Sequence, residues 1–262
     1  LENELGCTLF VRQRHGVSLT AEGERLYVHI SAAIGHILRG EEEIAADKSL
    51  KYGVVTVAAS EIALHCVLLP VLKKFRKTYP GVKIRILNYS TPQAVDTVKK
   101  GLADFAIVTE PFETASGLQS FVLRSIREVP VCSNTFAEQE GSIKTYRQLE
   151  KYPLIGLGRN TASYGFYSDF FKKMGLSFEP DVEAATADQI LPMIRSDLGI
   201  GFVPLDFLGK TDNGSLKVLD ISPAVPERNI CLLKRKGISA GIAAGEIEKM
   251  IRVNIKSTDG TE

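Results

Sequence analysis

The sequence predicts an α/β protein preceded by one long amphipathic helix, on three observations. Short apolar strands alternate with helical stretches from Val54 onward, the pattern of a sheet buried on both faces. An apolar or small residue recurs in a strict 4-3 rhythm from Leu19 to Ile44. No glycine-rich phosphate loop accompanies the βα units, which describes a receptor more readily than a nucleotide enzyme.

The helix comes first. Leu19, Gly23, Leu26, Ile30, Ala33, Ile37, Gly40 and Ile44 form a heptad seam with charged or polar residues beside it. Thr20 is the expected cap, with Glu24 in the first turn. A surface helix on a globular core carries a wider apolar stripe than this. Two seam glycines fit a place where another helix approaches closely, so the segment reads as a dimerising connector.

After "ADKSLKYG" the character changes. "VVTVAA" is a buried strand, and "VLLPVLKKFRKTYPG" has helical period and stops at Pro80-Gly81. "VKIRILN" is a strand, "TPQAVDTVKKG" a helix with Thr91 as cap and Pro92 at the first position, and "DFAIV" a strand. "REVPVCS" and "YPLIGLG" are further strands, and "SYGFYSDFFKKMG" is a helix ending at a glycine. "TADQILPMIRSD" is helical, "GIGFVP" and "RNICLLKR" are strands, and "AGIAAGEIEKMIRVNI" is a closing helix. The alternation predicts parallel sheet covered on both faces.

Composition narrows the function classes. The 262 residues are 44% hydrophobic and 24% charged, ordinary values for a globular protein with a sizeable core. No apolar run approaches a membrane span, and no secretory signal is read. Cys7, Cys66, Cys132 and Cys231 lie far apart, the usage of reduced thiols in a cytoplasmic protein. The four histidines have no metal-ligand spacing, so neither a metal nor another cofactor is expected. No nucleophile elbow, Cys–His context or carboxylate pair suggests catalysis, and the chain reads as a non-enzyme. A net charge of +1 leaves nucleic-acid binding open, because basic groups can sit on one small module.

The first residues carry a family resemblance. "LE-x-ELG-x-x-LF-x-R" followed by "V-x-LT-x-x-G" resembles the end of the winged helix-turn-helix of LysR-type transcriptional regulators. Here those residues are Leu1, Glu2, Glu4, Leu5, Gly6, Leu9, Phe10, Arg12, Val17, Leu19, Thr20 and Gly23. "LLPVLKKFRKTYPGVKIRI", "GLADFAIV" and "GIGFVP" continue the resemblance along essentially the whole chain. It implies a two-lobed effector domain built like a periplasmic binding protein, after a dimerisation helix and a remnant of the winged helix-turn-helix.

The implied boundaries are residues 1–18 for the wing and 19–48 for the dimerisation helix. Residues 52–127 with 228–262 are expected to form one lobe and 128–227 the other, the chain crossing near Val129–Ser133 and Asn229–Leu233. The resemblance further implies that Leu1 falls in the last turn of a recognition helix, so that most of that helix precedes this chain. Arg12, Arg14 and His15 would sit on the wing hairpin and contact DNA phosphate or the minor groove. Promoter DNA, a small-molecule effector of anionic character and further copies of the chain, in a homodimer or homotetramer, are the implied partners, and a membrane is not. Dimerisation would use Leu26, Ile30, Ala33 and Ile37. A periplasmic-type solute receptor is the alternative, and the wing and heptad seam favour the regulator. One departure stands out: Asp197 occupies a position two residues before the "GIG" glycine where the family usually has glycine, which leaves the local turn in question.

Strand ends locate the candidate cleft, since ligands of open α/β sheets bind beyond the carboxyl ends of strands. Ser60 and Glu61 follow the first strand, Ser90 and Thr91 the second, and Thr109 and Glu110 follow "DFAIV". Asn160, Thr161 and Ser163 precede the aromatic helix; Thr186 and Asp188 precede "QILPMI". The candidate effector set is Ser60, Glu61, Ser90, Thr91, Thr109, Asn160, Thr161, Ser163 and Thr186. Ser60, Thr91, Thr109 and Thr161 are expected to hold the ligand directly. Each of these residues is also an ordinary helix cap, and that reading stays open. Hydroxyls and free amides at helix starts favour a small carboxylate. Glu61 and Glu110 pull the other way.

Overall fold

The computed structural model describes residues 1–13, 16–45, 53–140, 143–208, 214–238 and 240–258. Arg14 and His15, and the stretch 46–52 that includes the expected junction at 48–52, lie outside the described residues.

A short helix α1 (Glu2–Leu5) and the antiparallel hairpin β1 (Phe10–Gln13) and β2 (Gly16–Leu19) open the chain. The Glu2 carboxylate accepts the Leu9 and Phe10 N–H groups at 2.6 and 3.2 Å, and those bonds hold its pKa below the usual value. Helix α2 (Ala21–Ala45) follows at once, about 37 Å long at 1.5 Å per residue. Thr20 caps it: its Oγ accepts the Gly23 N–H at 2.9 Å and donates to the Thr8 carbonyl at 2.7 Å. The expected cap therefore holds, and only the first seam residue is corrected: Leu19 lies before the helix, paired with Phe10 as the last residue of β2. Gly23 is also read differently. A Cβ there would lie 2.1 Å from the Leu9 carbonyl oxygen, so this glycine lets the wing dock on α2 rather than admitting a second helix.

Two five-stranded sheets make up the two lobes. In the first, β3 (Gly53–Ala59) pairs in parallel with β4 (Val82–Asn88) and β5 (Phe105–Thr109). The long β12 (Arg228–Arg235) then runs antiparallel between β5 and β6 (Leu118–Ile126), giving the order β4-β3-β5-β12-β6. The second sheet has the order β11-β7-β10-β8-β9, from β7 (Glu128–Ser133), β8 (Leu154–Leu157), β9 (Val182–Ala184), β10 (Ile200–Pro204) and β11 (Leu216–Val218). Both sheets are mixed, not purely parallel. The chain returns through each lobe with an antiparallel strand, and only the two parallel crossovers of each lobe, β3 to β4 to β5 and β8 to β9 to β10, are βα units.

Helices cover both faces of the first sheet. Val55, Val57 and Ala59 point toward α4 (Leu69–Thr78) and α10 (Ile242–Thr258), while Ala58, Ala106 and Val108 meet Ala94 and Val98 of α5 (Thr91–Lys99). The helix preceding β4 starts earlier than its period suggests: α3 (Glu61–Ala63) runs through a π-helical turn, Leu64–Leu68, into α4. In the second lobe α6 (Asn134–Glu140), α7 (Tyr146–Leu149) and α8 (Ala162–Lys173) pack an aromatic core against one face. Phe171 and Tyr167 are central to it, and each packs its ring, tilted or edge-on, against Phe178 and Phe202. Helix α9 (Ile190–Arg195) covers the opposite face through Ile190, Leu191 and Ile194.

The Asp197 turn resolves in favour of the fold. Asp197 adopts φ 60°, the left-handed conformation a glycine would take, and its carboxylate accepts a hydrogen bond from the Ser133 hydroxyl. Aspartate is among the few residues that enter this region readily.

Candidate effector site

The chain passes from β6 to β7 at Arg127 and returns into β12 at Arg228, so the lobes are joined where those strands begin. Glu128 and Arg228 stand at the two strand starts, each 3% exposed. Arg228 Nε donates to Glu128 Oε2 at 2.6 Å, and its Nη2 pairs with the same oxygen. Arg228 Nη1 donates to the Glu110 carbonyl at 3.0 Å and the Ser163 hydroxyl at 3.2 Å. The Phe166 ring lies 4.5 Å from the guanidinium carbon, a cation–π contact. Burial first, and then the Glu128 charge, pushes the neighbouring Tyr167 phenol well above its usual pKa. On another edge of the junction, Arg124 of the first lobe pairs with Asp206 of the second at 3.1 Å.

A cavity of about 430 Å³ opens between the lobes, beyond the ends of β3, β4, β5 and β8. All nine effector candidates line it: Ser60, Glu61, Ser90, Thr91, Thr109, Asn160, Thr161, Ser163 and Thr186. Glu110 and Asp188 do not. Asn88, Tyr89, Gln93, Ile62, Leu157, Ala185 and Ala187 are lining residues that the sequence reading passed over. Asn88 and Leu157 carried a signal, as the last residues of β4 and β8; the alanines carried none.

The hydroxyls are not equivalent. Ser60 is 7% exposed, and its Oγ has no hydrogen-bond partner among the described residues. An orphaned buried hydroxyl costs about 1–3 kcal/mol, so this group is open for a ligand or water. Thr91 donates to the Thr109 carbonyl at 3.1 Å, which ties α5 to β5 and leaves Thr91 only lone pairs to offer. The cap of α5 is corrected here: Ser90 occupies the cap, forming a capping box with Gln93, and Thr91 is the first helical residue. Thr161 is fully engaged as the cap of α8. It accepts from the Tyr164 N–H at 3.1 Å and donates to the Gly158 carbonyl at 2.8 Å. Ser163 accepts from Arg228, so its own hydrogen is free to face the cavity.

Glu61 holds its place through two neighbours. Its Oε1 lies 2.8 Å from His65 Nε2, and its Oε2 accepts from the Asn88 amide. His65 meets Phe207 of the second lobe edge-on at 5.4 Å, so this corner of the cavity touches both lobes.

Residues 49–245 match the family model described as the LysR substrate binding domain. The chain belongs to the LysR family of transcriptional regulators. The chain is 27% identical over 214 residues to the HTH-type transcriptional regulator AlsR of Bacillus subtilis, spanning 78% of this chain and 68% of AlsR. It is 26% identical over 242 residues to the regulator cbl of Escherichia coli K12, spanning 90% and 75%. In three dimensions it is similar to the regulatory domain of Synechocystis CcmR, solved in complex with 2-PG: TM-score 0.68, 16% identity, 78% of this chain and 98% of that one. This likeness shows the two-lobed effector-domain fold. LysR membership and the regulators among its relatives support the regulator and not the transport receptor. Among the described residues no helix is long and apolar enough to cross a membrane.

Proposed function

We propose that a small polar metabolite bearing a carboxylate binds in the cavity between the lobes and changes the angle between them, and that this controls DNA occupancy by the regulator. The observation that carries the reading is the buried Ser60 Oγ, unpartnered among the described residues in a cavity that the ends of strands from both lobes and the start of α8 surround. Backbone N–H groups in the first turn of a helix have no intrahelical acceptor and favour an anionic oxygen. An effector shifts the lobes only by contacting their two arrangements differently, and couplings of this kind are about 1–3 kcal/mol.

The rest of the chain serves as the scaffold of that response. Tyr27, Ile30, Ile34 and Ile37 of α2 are 40–60% exposed, an apolar stripe that a second copy would cover. It is wider than the Leu26–Ile30–Ala33–Ile37 seam, because Tyr27 and Ile34 flank it. Arg12, exposed on β1, and Arg14 and His15 are assigned to DNA phosphate. The protein acts in the cytoplasm as a dimer or tetramer, without catalysis.

The test is a thermal-shift screen of small carboxylates, followed by calorimetry of the best ligand on Ser60→Ala and Ser163→Ala. Loss of a hydrogen bond to a charged oxygen weakens binding by roughly tenfold or more. Unchanged affinity in both variants would overturn the assignment of the cavity.

A further inference from the structure

We infer that the effector is a zwitterion, an amino-bearing carboxylate whose cationic group is received by Glu61. The inference rests on the reading of the cavity given above and narrows its ligand class. Among the described residues that line the cavity, Glu61 is the one whose side chain carries a formal charge; no lysine or arginine lines it. Arg228, just behind Ser163, is already neutralised by Glu128. A site built for a dianion would need cations that this cavity lacks. Dipoles at a helix start amount to about half a charge, enough for one carboxylate.

The hydrogen-bond capacities divide the same way. The Glu61 side chain is 10% exposed, a charge largely removed from water. A carboxylate accepts at about four lone-pair sites. His65 and Asn88 occupy two of them, which leaves places for an ammonium or guanidinium group. Thr91, with its hydrogen given to Thr109, adds a further acceptor on the same lobe. Across the cavity Ser163 is held as a donor by Arg228, beside the first turn of α8. Hydroxyl donors on both lobes, Ser60 and Ser163, beside acceptors at Glu61 and Thr91, suit a ligand that carries both charges and spans the gap. Such a ligand joins the lobes, which is the differential contact that closure requires.

The experiment uses matched pairs that differ only in the amino group: aspartate and succinate, glutamate and glutarate, alanine and propionate. Binding to the chain is measured by calorimetry. The amino member is expected to bind tighter on the order of tenfold in at least one pair, and Glu61→Gln to bring its ratio close to unity. Glu61→Asp, which keeps the charge, is expected to retain the preference and shows that the loss in Glu61→Gln is not misfolding. Equal or tighter binding of the deaminated members, or an amino preference that survives Glu61→Gln, would overturn the inference. So would a carboxylate ligand without any cationic group, although that result would leave the effector site itself standing.

Discussion

Replacing Glu128 with glutamine should loosen the junction between the lobes. The substitution leaves the shape and removes the charge opposite Arg228. Both residues are 3% exposed, and the Arg228 Nε to Glu128 Oε2 distance is 2.6 Å. Two unit charges about 4 Å apart interact by about 4 kcal/mol at an effective dielectric of about 20. The glutamine oxygen still accepts one hydrogen bond, which returns about 1 kcal/mol. The net cost is therefore about 3 kcal/mol, within the range for breaking a buried pair. For a chain of this size that corresponds to a melting temperature roughly 6–12 °C lower. Urea denaturation measures the free energy, and calorimetry the melting temperature. The double variant Glu128→Gln with Arg228→Met should recover much of the loss, because it leaves no unpaired buried charge. A single-variant cost below about 1 kcal/mol would refute the assignment of this pair as the tie between the lobes.

Other outcomes follow from the same structure. Ile30→Lys with Ile37→Lys should abolish self-association in sedimentation velocity, since a covered stripe would bury unpaired charge; association as tight as wild type would exclude α2 as the contact. Asp197→Ala should cost about 1–2 kcal/mol, losing the Ser133 hydrogen bond and the polar side chain that lets this position tolerate φ 60°, while Asp197→Gly should cost less because glycine adopts that φ freely. Burial pushes the Cys66 thiol up to about 12 and the Cys231 thiol to about 11. Both should therefore react slowly with iodoacetamide at pH 8 and quickly after denaturation. The same shifts set the sign at alkaline pH: raised folded-state values favour the protonated thiols, so their contribution is intact below pH 9 and is lost as pH climbs toward 11–12. Glu248 has the opposite sense. Burial raises its pKa, but the bonds from Lys234 and Arg252 outweigh that and lower it, so its contribution is lost as pH falls below about 4.5.

The fold class and the cleft were legible because strand ends and helix caps leave local marks. "SLTAEGE" and "GRNTASY" announce Thr20 and Thr161 as caps, and the strand-end rule brought nine residues to one cavity. Short β9 and β11, and β6 with its alternating exposure, carry no apolar run, and the mixed direction of both sheets has no local signature. The division of labour among the hydroxyls was equally silent. Whether Thr91 caps a helix or bonds the Thr109 carbonyl depends on a residue 18 positions away. Arg228 and Glu128 lie 100 residues apart, and their pairing exists only once two strand starts meet at the junction.

The most direct test of the effector site is a crystal structure of the chain with the tightest ligand from the carboxylate screen. Density between Ser60 and Ser163, with the cationic group of the ligand against Glu61, is the predicted result. Density elsewhere, such as the larger opening lined by Arg124, Arg127 and Glu227, with the interlobe cavity holding only solvent, would contradict it.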